Sequence, residues 1–111
     1  MARVLVDGEN VRRSTWPNVS RERLVELARG WAAAHEHELV VVFDGHAPEN
    51  ADDVVGSGAE TADEWLTREA AGLDAYWLVT SDRALRTAAG ARADRVIGGG
   101  AFLRELLSSD R

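Results

Sequence analysis

The sequence predicts a three-layer α/β/α sandwich around a mainly parallel sheet of about four strands. Two observations carry that prediction. Short, unbroken apolar runs recur along the chain, as strands covered on both faces require. Between them lie segments with helical periodicity, and this alternation gives a parallel sheet flanked by helices. With 111 residues, 45% of them hydrophobic, the chain suits one domain spanning residues 1–111.

The first strand is residues 3–7, ending in the acid of "VLVDGEN". Ser20 is placed to cap a helix whose Leu24, Leu27, Ala28, Trp31 and Ala32 fall on one face. "ELVVVFDG", residues 38–45, is a second strand that again closes on an acid. A polar loop follows, in which "DVV" is at most a stub of a strand. Thr61 and Glu64 then have capping-box spacing at the start of a helix that turns Trp65, Leu66 and Ala70 inward. "AYWLVTSD", residues 75–82, is the third strand, and Leu85, Ala88 and Ala89 mark the next helix. "RVIGGG" is a fourth short strand with a tight glycine turn. Phe102, Leu103, Leu106 and Leu107 line a closing helix.

Composition excludes several functions. Without cysteine there are no disulfides, thiolate metal sites or cysteine nucleophiles. No apolar run is long enough to span a membrane, and an acid at position 7 does not suit a signal peptide, so a cytoplasmic protein is expected. All 13 basic residues are arginine. The missing lysine rules out a P-loop, a receiver domain and an aspartyl-nucleophile phosphatase. A net charge of −6 argues against gripping nucleic acid by bulk electrostatics.

Three strands end in aspartate: Asp7, Asp44 and Asp82. In a parallel sheet these ends share the edge where open α/β folds place their sites, and Glu60 and Asp63 at a helix start reach the same edge. A single such acid is commonly a cap or turn residue, but five together repel one another unless a cation compensates. Oxygen donors without cysteine or paired histidines select Mg2+ or Mn2+, and metal-bound carboxylates suit phosphodiester hydrolysis. Arg12, Arg13, Arg83 and Arg86 flank the edge, either as phosphate contacts or as scattered surface charges. "HEH", residues 35–37, reads as a solvated turn. Trp31, Trp65 and Trp77 read as core, whereas Trp16 in the first loop is free to meet a base.

"VDGEN", "VVFDGH", "AETADEWL" and "VTSDRAL", in that order, resemble the bacterial YacP-like NYN domains of the PIN-like nuclease superfamily. The match runs from about residue 3 to residue 107. The resemblance implies a metal-dependent endoribonuclease acting on single-stranded RNA, in mRNA turnover or on ribosome-bound RNA. By position it implies Asp7, Asp63 and Asp82 as catalytic metal ligands, with Asp44 and Glu60 as supporting acids. Asn10 falls at the DGxN asparagine, to orient a phosphate or a ligand carboxylate. Ser81 matches the TSD serine, with helix capping as its alternative role, and His46 matches the FDxH histidine as a substrate contact or a plain loop residue. Glu9 is expected to face solvent and Glu64 to cap its helix. The acidic segment before residue 60 departs from the pattern and implies weak RNA affinity or a larger partner that delivers substrate. The rival reading is a non-catalytic RNA- or ribosome-binding module. Oligomeric state stays open.

Overall fold

Continuous apolar strands need cover on both faces, and the central strands of the sheet receive it. The computed structural model describes residues 1–110. In chain order the elements are β1 (Arg3–Asp7), α1 (Gly8–Arg12), α2 (Arg21–His35), β2 (Glu38–Phe43), β3 (Val54–Gly56), α3 (Ala62–Ala71), β4 (Trp77–Val79), α4 (Arg83–Gly90), β5 (Arg95–Ile97) and α5 (Gly99–Ser109).

One sheet holds five strands, not about four, in the order β3-β2-β1-β4-β5, and every pairing is parallel. The added strand is β3, the "DVV" stub: it pairs with the end of β2, Val41 opposite Val54 and Phe43 opposite Gly56. Gly56 is required there, because a Cβ would meet the backbone of Ala47 at 2.6 Å.

Strand residues alternate between two cores. Val4, Val6, Val41, Phe43 and Val79 pack under α1, α2 and α5, while Leu5, Val40, Val42 and Leu78 pack under α3 and α4. Burying each of these side chains stabilises the fold by about 2 kcal/mol. The helices start where the sequence predicts: Ser20 accepts from Arg23 N at 3.0 Å, and Thr61 and Glu64 form a reciprocal capping box. Trp31 is buried, while Trp65 and Trp77 pack at the core margins. In the "HEH" turn His35 and Glu36 are exposed and His37 is half-buried, its Nδ1 accepting from Ala2 N. No helix among the described residues is long and apolar enough to cross a membrane.

The chain leaves β1 for β2 and β3 on one side, then crosses to β4 and β5 on the other. The switch point therefore lies between β1 and β4, and open α/β sheets present a crevice at the carboxyl ends of such strands.

Candidate active site

Asp7 ends β1 at that switch point and is buried, 6% exposed. Asp44 follows β2, Asp82 follows β4 as the N-cap of α4, and Asp63 lies in the first turn of α3. All four line one open cleft of about 540 Å³, together with Glu9, Asn10, Arg13, Ser14, Thr61 and Ser81. The fold thus brings together the three strand-end aspartates and Asp63.

Each strand-end acid is tethered by a neutral donor. Thr80 Oγ1 donates to Asp7 Oδ2 at 2.8 Å. Ala62 N, at the start of α3, donates to Asp44 Oδ1 at 2.7 Å. Leu85 N donates to Asp82 Oδ1 at 3.0 Å, so Asp82 caps α4 while lining the cleft. Burial pushes the Asp7 carboxyl up to about 6; the Thr80 hydrogen bond pulls it down, and the charges of Asp63 and Asp44 push it up. Burial and the charges of Asp82 and Asp44 also raise Asp63. These carboxylates feel one another.

Asn10 and Ser81 reach the cleft as cross-ties. Asn10 Oδ1 accepts from Ser81 N at 2.9 Å, and Ser81 Oγ accepts from Gly99 N at 2.8 Å. Gly99 starts α5 directly against Asn10, and a Cβ there would collide with Asn10 Oδ1. The glycine turn after β5 therefore locks α1, the β4–α4 loop and α5 together.

Several predicted residues lie elsewhere. Glu60 does not line the cleft; its carboxylate is forked onto Arg68. Arg12 is bound to Glu9 at 2.9 Å. His46 is exposed beside a separate hollow with Ala47 and Gly56. Arg83 is exposed on α4 outside the cleft lining, and Arg86 Nε donates to Thr80 O at 2.9 Å. Trp16 is 89% exposed.

One expectation is overturned. Glu9 does not face solvent: it is buried beneath Arg12, Arg13 and Arg21. Asp7 is followed at once by α1, a one-turn helix whose N-cap position it occupies without a side-chain cap bond. Thr80 and Arg21 were missed as site residues. Nothing in their local sequence announces them, since both act across long chain separations.

The donor set fits a hard divalent cation: the cleft offers oxygen ligands from mutually repelling acids and no sulfur. Among the described residues no three acidic or imidazole side chains stand close enough together to hold a metal ion between them. Each strand-end acid keeps its second carboxylate oxygen free of the neutral donor that tethers it.

A five-stranded parallel sheet covered by helices, with carboxylates at its switch point, defines an α/β/α sandwich with an acidic cleft. More narrowly, the fold is YacP-like. The chain is similar over its whole length to crystal structures of Rae1 (YacP) from Bacillus subtilis. A mutant form aligns with a TM-score of 0.81 and 25% identity, over 78% of that chain. A second structure aligns at 0.74 and 24% identity, over 76%. No family model matches the sequence, and no curated protein is significantly similar to it.

Proposed function

We propose that this protein is a metal-dependent endoribonuclease that hydrolyses phosphodiester bonds of single-stranded RNA in the cleft above β1 and β4. One observation carries the reading: four aspartates from four separate segments share that cleft, two of them raised in pKa by burial and by their neighbours. The chain has no cysteine or lysine to serve as a nucleophile. When bound, Mg2+ or Mn2+ would supply Lewis acidity, make a coordinated water easier to deprotonate and offset the charge that develops on the phosphate. Asp7, Asp63 and Asp82 are the residues that would hold it, with Asp44 beside them.

The protein's own part is to keep these oxygens placed. Thr80 fixes Asp7, and the Asn10–Ser81–Gly99 ties keep the loop carrying Asp82 against α1. Arg13 on the rim offers a guanidinium to phosphate. The choice of RNA rests on the resemblance to YacP-like domains. With a net charge of −6, the grip on free RNA is weak at physiological salt. That favours substrate presented by a larger body such as the ribosome, in mRNA turnover.

The test is cleavage of labelled single-stranded RNA in Mn2+, Mg2+ or EDTA. Cleavage is expected with either metal, none in EDTA, and none for Asp82→Asn. Equal cleavage in EDTA refutes the metal mechanism. Binding without cleavage under every condition supports the non-catalytic module instead.

A further inference from the structure

Glu9 is the acid of the cleft whose charge is already matched. Its side chain is only 9% exposed, and the Nε atoms of Arg12, Arg13 and Arg21 stand 2.9, 3.2 and 2.7 Å from its carboxylate. A buried carboxylate needs such partners, but one partner would suffice. Three guanidiniums on one carboxylate leave two positive charges at the rim of an acidic cleft.

The three arginines are not equivalent. Arg12 Nη1 donates to Val19 O at 3.4 Å and Arg21 Nη1 to His46 O at 3.3 Å. Arg21 also lies over the Phe43 ring, 5.6 Å from its centroid. These two fasten loops to α1. Arg13 has no such backbone bond among the described residues, is 61% exposed and lines the cleft. Engaging its Nε leaves the paired terminal nitrogens free, the edge that binds a phosphate through two parallel hydrogen bonds. A loose arginine on this rim would settle onto the nearby aspartates and neutralise the acids a cation requires.

We infer that Glu9 is a positioning residue for Arg13, and that Arg13, held in this way, takes the phosphate of the RNA strand adjacent to the reacting one. This rests on the nuclease reading for the identity of the strand. The positioning itself rests on the Glu9 contacts.

The test exploits a difference in sign. Glu9→Gln makes the protein less negative, so bulk electrostatics alone predicts tighter RNA binding. Positioning predicts weaker binding. Affinity for a short labelled single-stranded RNA would be read by fluorescence anisotropy across a salt series, with Ca2+ in place of Mg2+ so that binding is measured apart from turnover. Arg13→Gln is expected to weaken binding about tenfold and to reduce the salt slope by about one phosphate contact. Glu9→Gln is expected to weaken it in the same direction, with no further loss when combined with Arg13→Gln. Arg12→Gln is expected to leave the salt slope unchanged. Binding by Glu9→Gln equal to or tighter than wild type overturns the proposal. If Glu9→Gln melts too low to assay, Arg13→Lys replaces it: the charge stays, the anchored fork is lost, and wild-type affinity overturns the proposal. Wild-type cleavage in Mn2+ is scored separately. Its absence alongside the expected binding pattern removes the nuclease reading and leaves the role of Glu9 standing.

Discussion

Replacing Asp7 with asparagine should stabilise the metal-free protein at high pH and lose that advantage at low pH. Raising a carboxyl from 3.8 to about 6 makes its ionisation about 3 kcal/mol less favourable in the folded chain than in the unfolded one. Between those two values the folded chain holds a proton that the unfolded chain has released. Wild-type stability is therefore greatest below the window, falls as pH rises through it, and has lost the full amount above pH 6. The substituted amide carries no charge to desolvate and still accepts from Thr80. Against this, its amide protons need partners, at about 1 kcal/mol, and the negative charge before α1 is lost, at about 0.5 kcal/mol. The net gain at pH 8 is then about 1–2 kcal/mol, or a melting temperature roughly 5–10 °C higher for a domain of this size. The assay is thermal unfolding of both proteins in EDTA from pH 4 to pH 8. The variant should have no advantage at the acid end and gain on the wild type as pH rises. An Asp7→Asn protein that melts at or below wild type at pH 8 in EDTA would refute the reasoning, because the ionised carboxylate would then be a structural asset held by its hydrogen bonds.

Adding Mn2+ to about a hundred times its dissociation constant should stabilise the wild type by about 2.7 kcal/mol, raising its melting temperature above that of Asp7→Asn; calorimetric scans with and without EDTA check the reversal. Asp63→Asn should stabilise the metal-free protein in the same direction but less, because Asp63 is more open to solvent than Asp7, and it should abolish the Mn2+ response in the same scans. Gly99→Ala forces a Cβ onto Asn10 Oδ1 and should destabilise the protein by about 2 kcal/mol, read by urea unfolding, with RNA cleavage falling as the Ser81 tie loosens. Thr61→Ala removes one half of the α3 capping box, with an expected loss of about 1 kcal/mol in the same urea assay.

The parts of this structure legible in the sequence are those governed by local pattern. Apolar runs ending in Asp7, Asp44 and Asp82 expose their strands, and Ser20, Thr61 and Glu64 expose helix starts through spacing alone. The parts that were not legible depend on distant partners. The five residues of α1, "GENVR", are too few and too polar to show a period. β3 has three residues and exists because the end of β2 offers it an edge. Glu60 reads as a cleft acid until α3 places Arg68 beside it. Glu9 reads as solvent-facing because two of its partners, Arg12 and Arg13, look like free surface charges, and the third, Arg21, arrives from the start of α2.

The switch point between β1 and β4 also has a consequence for the order in which the protein matures. Asp7 is fixed by a hydroxyl 73 positions further along the chain, and Asn10 by an amide 71 positions away. A chain emerging from the ribosome forms β1, β2 and β3 before Thr80 exists, and parallel pairings across such separations close late. Until β4 pairs with β1 and Thr80 reaches Asp7, Asp82 has no fixed place beside it. The half-made protein thus carries its acids apart from one another. On the nuclease reading, an unfinished copy is harmless to the RNA from which it is being translated.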